Sequence, residues 1–174
     1  MKYDPLTLRP WRMADAAVLP GLIGDPAVQR NLRDGLPFPY TEADARAFLT
    51  AMLAADPEET VPFAIAWDDV AIGSLSLLRQ GNIHRCAAEL GYYLGRAYWG
   101  RGIMTWAVEA ACQWAFAHTD LLRIYAMPFA RNLSSCRVLE KAGFQLEGTL
   151  RQNAVKDGEV LDMKLYARLR DGRP

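Results

Sequence analysis

The sequence has no surplus of charge of either sign: 20 lysines and arginines stand against 20 aspartates and glutamates, with a pI of about 6.7. A balanced chain sets up no overall field for DNA or an anionic membrane, which leaves only a local basic patch as a route to such partners. Nor is there an aromatic-basic motif of the kind that binds RNA, so no nucleic-acid partner is expected. Cysteine is scarce, and its three copies are an odd number. Reduced intracellular thiols fit that count better than a disulfide framework. The only histidines, His84 and His118, do not form a tight ligand group with Cys112 and Cys136, so no metal is expected. A nucleophilic cysteine would need a local base that the sequence does not offer. No run approaches the ~20 apolar residues that cross a bilayer. The opening MKYDPLTLRPWRM has no apolar signal core. A soluble cytoplasmic protein with no membrane partner is the expectation.

What is present is a strongly apolar chain, 51% of 174 residues, enough for one packed domain spanning 1–174 and too short for two comfortable ones. Leu6 to Arg9 alternates before Pro10 and reads as a strand. Ala14 to Ile23 reads as a helix interrupted at Pro20. Asp25 to Pro39, with its prolines and Gly35, reads as a loop. Thr41 and Asp44 have cap spacing ahead of Ala45, Phe48, Leu49 and Met52, a helical stripe that Pro57 closes. Strands are expected at 63–67, 71–78, 87–94 and 122–127, with the Asp68-Asp69 and Gly81-Asn82 turns between the first three. A long helix runs from about Ile103 to Ala117, with Ile103, Ala107, Ala110 and Trp114 on its packed side. A helix over 132–141 stops at Gly143. Two last strands, 144–150 and 160–169, pair antiparallel through Lys156-Asp157-Gly158-Glu159. The sum is a mixed α/β (α+β) domain around an extended central sheet.

The stretch Leu94 to Phe116, LGRAYWGRGIMTWAVEAACQWAF, carries the chemistry. Gly100 and Gly102 let the backbone turn tightly and come close to a ligand. The helix behind them offers unpaired N–H groups and the positive end of its dipole, which together form an anion site. Arg101 adds a cation where the dipole alone disfavours one, and an anionic visitor explains it. An ordinary tight connection with a solvent-facing arginine is the plain alternative. A Walker loop would need lysine and a hydroxyl residue where Arg101-Gly102 stand, and the dinucleotide fingerprint would need glycine at Thr105. A diphosphate held without metal is what remains.

These residues resemble the acetyl-CoA loop of the GNAT acetyltransferase superfamily. The equivalent stretch here is Trp99-Gly100-Arg101-Gly102-Ile103-Met104. A second stretch, ARNLSSCRVLEKAGFQLEGTLR, resembles the other half of that site through Asn132, Ser135, Leu139, Lys141, Gly143 and Phe144. The likeness is greatest to the branch that acetylates N-termini of ribosomal proteins (RimJ/RimL-type), in which tryptophan often stands at the Trp99 position. Met104 is bulkier than the usual Gly or Ala. The resemblance implies a largely antiparallel sheet of about 6–7 strands with one splayed parallel pair, and about four helices. It implies acetyl-CoA as acetyl donor, held by Tyr92, Leu94, Gly95, Trp99, Gly100, Arg101, Gly102, Ile103, Met104, Thr105, Asn132, Ser134, Ser135 and Arg137. Asn132 reads equally well as a simple helix cap.

The implied reaction is direct attack of a neutral amine on the thioester. An α-amine, with a pKa of about 7.7–8.0, is roughly a tenth neutral at pH 7; a lysine amine near about 10.4 is far less so. Glu89, ahead of Leu90-Gly91-Tyr92, is the candidate general base. A strand amide near Leu94 is the candidate oxyanion donor. Relatives often carry an acid tyrosine where Leu139 stands, and leucine cannot donate a proton; Ser135 is the candidate near the sulfur. Only one of Tyr92 and Tyr93 can face the reaction. Acceptor choice is expected from Pro26–Tyr40 and Asn153–Glu159. The acceptor is a primary amine, with a protein N-terminus the attractive class. A small-molecule amine acetyltransferase and a non-catalytic acyl-CoA-binding or sensory domain are the rival readings. Monomer and homodimer both stay open.

Overall fold

In the computed structural model, which describes residues 1–171, the strands are β1 (Lys2–Tyr3), β2 (Leu6–Arg9), β3 (Thr60–Trp67), β4 (Val70–Arg79), β5 (Ala87–Leu94), β6 (Arg123–Ala126), β7 (Gln145–Lys156) and β8 (Glu159–Leu169). They form an eight-stranded sheet ordered β1-β2-β3-β4-β5-β6-β8-β7. The pairs β1–β2, β2–β3, β6–β8 and β7–β8 are antiparallel, and β5–β6 is parallel. The largely antiparallel sheet with one parallel pair is as expected from the sequence. The short β1 raises the strand number above the expected 6–7. The α-helices are α1 (Leu19–Ile23), α2 (Pro26–Gln29), α3 (Glu42–Leu53), α4 (Ile103–His118) and α5 (Leu133–Lys141), five among the described residues where about four are expected.

The differences have local causes. The expected helix over 14–23 is a 3₁₀ turn, Met13–Ala17, followed by α1, with Pro20 in the first turn where its missing N–H matters least. The expected loop after Asp25 holds α2, because the Asp25 carboxylate accepts the Ala27 amide at 2.7 Å and Pro26 fills the first helical position. Thr41 and Asp44 form the reciprocal cap that starts α3. β7 runs past its expected end at Leu150 to Lys156, through register shifts at Leu146/Gly148 and Leu150/Ala154.

Tertiary contacts divide the chain into two compact units, one made of Met1–Leu77 with Gly91–Ile103, the other of Leu78–Leu90 with Met104 onward. The core of the first gathers Trp11, Leu19, Leu22, Tyr40, Ala45 and Leu49. Beside it a buried ion pair joins Arg9 to Asp15 by bonds of 2.9 and 2.8 Å. Burial of a charged pair is tolerable here because Arg9 also donates to the Asp69 carbonyl and Asp15 also accepts the Arg12 amide. In the second unit Phe129, Leu161 and Met163 cluster, and Tyr166 is fully buried with its hydroxyl donating to Glu140 at 2.8 Å. Along α4 the buried residues are Ile103, Met104, Ala107, Val108, Ala111, Cys112 and Ala115. Ala110 and Trp114, expected on that side, are half-buried, and Trp114 instead stacks on His118 with ring centroids 5.4 Å apart.

Candidate active site

β5 ends at Leu94, and a 3₁₀ turn, Arg96–Tyr98, carries the chain to Trp99. Gly100 and Gly102 both have φ of +75°, the left-handed region, and a Cβ built on either would meet no atom within 4 Å. An L side chain would therefore be strained there and would fill open space in front of the first turn of α4. That is the geometry a diphosphate needs to approach main-chain amides at a helix N-terminus. The Trp99 indole N–H donates to the Leu94 carbonyl at 2.7 Å, so the ring ties the loop back to the strand that enters it. Arg101 is exposed, with its guanidinium over the rings of Trp67 and Tyr98. Ile103 and Met104 are buried, and Thr105 is half-buried in the next position.

Direction along β5 decides what each of its groups can do. The Gly95 amide donates to Ile72 in β4 at 2.9 Å, and its carbonyl accepts the Tyr98 amide at 3.0 Å. Main-chain groups of alternate strand residues point to opposite edges, so those of Tyr92 and Leu94 face away from β4. The parallel pairing with β6 ends at Glu89↔Tyr125, while β5 continues to Leu94. Side chains alternate as well: Glu89, Gly91 and Tyr93 share one face, and Leu90, Tyr92 and Leu94 the other. Tyr93 packs against the core around Trp11, Leu22 and Tyr40. Its hydroxyl is buried without a hydrogen-bond partner among the described residues, and burial pushes the phenol pKa well up. Tyr93 is thus a neutral packed side chain, and Tyr92 is half-buried on the opposite face. Glu89 is half-buried.

In the second unit Asn132 caps α5, its side-chain oxygen accepting the Ser135 amide at 3.2 Å. The capping reading of Asn132 is therefore realised, and only its side-chain NH₂ can serve a ligand as donor. Ser135 is half-buried, and Ser134 and Arg137 are exposed. Leu139 is fully buried. Burial pushes the Cys112 thiol up to about 12, so it is protonated and a poor nucleophile. Cys136 is buried as well. Among the described residues no three His, Cys, Asp or Glu side chains are placed to hold a metal, and no helix is long and apolar enough to cross a membrane.

Residues 5–145 match the acetyltransferase (GNAT) domain family. The chain belongs to the GNAT acetyltransferase family. A curated relative, the probable N-acetyltransferase YjcK of Bacillus subtilis (strain 168), is 41% identical over 115 residues, 66% of this chain and 64% of that protein. The ribosomal-protein-serine acetyltransferase of Escherichia coli (strain K12) is 32% identical over 111 residues, 64% of this chain and 62% of its own. This chain thus spans just under two thirds of each of these two relatives. Among solved structures, a ribosomal-protein-S5-alanine acetyltransferase from Vibrio fischeri superposes with a TM-score of 0.88 at 22% identity, covering 100% of this chain and 98% of that one. At that identity the likeness speaks for the GNAT fold.

The GNAT fold implies acetyl-CoA, and the glycine loop fits it: two left-handed glycines with open space beside them, leading into a helix N-terminus. Two aromatic neighbours of that loop, Trp67 and Tyr98, are not among the residues the sequence points to. Trp67 is separated from Arg101 by more than thirty positions in the chain, and no spacing rule links a strand end to a loop so far away.

Proposed function

We propose that this chain moves the acetyl group of acetyl-CoA to a primary amine, with a protein N-terminal α-amine as the acceptor. The observation that carries the proposal is the pair of left-handed glycines opening α4, in a chain of the GNAT family. Acetyl-CoA supplies the activated thioester. Gly100, Arg101, Gly102, Ile103, Met104 and Thr105 would hold its diphosphate with main-chain amides and the Arg101 charge, on the loop that Trp99 braces. Tyr92 and Leu94, whose main-chain groups face away from β4, would hydrogen-bond the pantetheine arm as an added strand does. Gly95 contributes through its shape, since its amide is already engaged with Ile72. Asn132, Ser134, Ser135 and Arg137 are assigned to the same cofactor by the second motif.

Glu89 takes the proton from the attacking amine, directly or through water, and the Leu94 amide steadies the developing oxyanion. A neutral amine is needed, and an α-amine is far closer to neutral at pH 7 than a lysine. Ser135 serves the departing thiolate; a thiol pKa of about 8.5 asks little of an acid. The N-terminal acceptor is supported by relatives whose names state ribosomal-protein acetylation.

The test is release of CoA from acetyl-CoA in the presence of N-terminal peptides, polyamines, amino acids and aminoglycosides. Turnover of a peptide that ceases when its α-amine is blocked is the expected result. Turnover confined to small amines would replace the acceptor, and acetyl-CoA binding without turnover on any amine would replace catalysis with a binding role. Glu89→Gln is expected to lower kcat at least tenfold while acetyl-CoA affinity holds. An unchanged pH–rate profile would remove Glu89 as the base.

A further inference from the structure

Arg101 stands between two residues without side chains, so within Gly100–Gly102 its side chain alone can anchor the loop, beside the Trp99 indole that ties the loop's start to Leu94. Its guanidinium carbon lies 5.9 Å from the ring centroid of Trp67 and 5.9 Å from that of Tyr98. The two rings are themselves 6.5 Å apart and tilted by 37°. Trp67 is the last residue of β3, and Tyr98 closes the turn that follows β5, so the cation is seated on two anchored elements of one compact unit. Arg101 makes no hydrogen bond or ion pair with any other described residue. A guanidinium held by aromatic rings spends none of its N–H groups on a carboxylate, and its planar fork suits phosphate oxygens. An arginine of this kind would be unfavourable beside a helix N-terminus without an anion to answer it.

We infer that Trp67 and Tyr98 are positioning residues that hold Arg101, and with it the glycine loop, in place for the phosphates of a nucleotide-bearing acyl donor. This rests on the acetyl-CoA reading above. Trp67 and Tyr98 act on the cofactor through Arg101, which gives the inference a signature that general loss of packing lacks.

The experiment compares acetyl-CoA with S-acetylpantetheine, which carries the thioester but no phosphates. It uses the unaltered chain, Trp67→Leu, Tyr98→Leu, Arg101→Ala, and the Trp67→Leu/Arg101→Ala double variant. Each ring is expected to contribute about 2- to 5-fold in acetyl-CoA affinity, the range of an exposed cation–π contact. Trp67→Leu should therefore raise KM for acetyl-CoA by that factor with a smaller change in kcat. In the Arg101→Ala background the same substitution should change KM less than about 1.5-fold, the non-additivity expected of a coupled pair. KM for S-acetylpantetheine should not move. Trp67→Phe, which keeps a ring face, should recover most of the loss and serves also if Trp67→Leu does not fold. Additive effects of the two substitutions, or an equal rise in KM for both donors, would overturn the inference while leaving the acetyltransferase reading intact. Failure of the unaltered chain to bind acetyl-CoA would overturn both.

Discussion

Replacing Gly102 by alanine separates the cost of a strained backbone from the cost of a blocked ligand. The φ at Gly102 is +75°, and an added Cβ would meet nothing within 4 Å, so no clash inside the protein accompanies the substitution. The fold should lose only the left-handed penalty of an L residue, about 1–2 kcal/mol. For a chain of this size that lowers Tm by roughly 2–8 °C. Gly158, in the turn between β7 and β8, provides a matched control: its φ is +78° and its surroundings are equally empty. Gly158→Ala should thus lower Tm by the same amount. The two variants should part company over acetyl-CoA. A methyl group at Gly102 occupies the space through which a diphosphate reaches the amides, and affinity should fall at least tenfold, about 1.4 kcal/mol. Gly158→Ala should bind as the unaltered chain does. Thermal unfolding and titration calorimetry on the same samples measure both quantities. If Gly102→Ala and Gly158→Ala bind acetyl-CoA equally well, the open space beside Gly102 is not where the phosphates rest.

Asp15→Ala strips Arg9 of its closest partner, with both side chains less than a tenth exposed, and should cost about 3 kcal/mol in urea unfolding; a cost below 1 kcal/mol would show that Asp69 alone compensates Arg9. Of the three cysteines, Cys112 and Cys136 are buried and Cys86 is half-exposed, so a thiol reagent at pH 8 should label Cys86 rapidly in the native protein and all three in denaturant. Rapid native labelling of Cys112 would contradict its raised pKa. Glu147 accepts two bonds from Arg123 at 2.6 and 2.5 Å, which lowers its pKa below the ordinary 4.5. A carboxylate with a lowered folded pKa stabilises above its unfolded value and loses that contribution as pH falls through the folded one. The stability difference between the native chain and Glu147→Gln should accordingly vanish on acidification below 4.5 and persist at neutral pH, and a difference independent of pH would refute the ion pair as its source.

Much of the fold is legible because its signals are local. Thr41 and Asp44 announce α3 by cap chemistry, the 87–94 strand ends where the glycines begin, and Gly143 stops α5. Asp25-Pro26 carried the same kind of signal for α2, but a single helical turn inside a proline-rich stretch has too few residues to display a period. The second half of β7 was hidden for a different reason. Its bulges shift the alternation, so a period-two reading loses the strand at Leu150. In the candidate site the loop glycines could be read because left-handed backbone is a property of single residues. The choice between Tyr92 and Tyr93 could not, since it depends on which face of β5 the core around Trp11 and Tyr40 covers. The seat of Arg101 on Trp67 and Tyr98 is non-local in the same way. Leu139 has no proton to donate, and its complete burial makes it a packing residue.

The most direct test is a crystal structure of the chain with acetyl-CoA bound. The account predicts diphosphate oxygens at hydrogen-bond distance, about 3 Å, from amide nitrogens between Gly100 and Thr105. It would be contradicted if the diphosphate bound elsewhere and those amides faced solvent or packed protein.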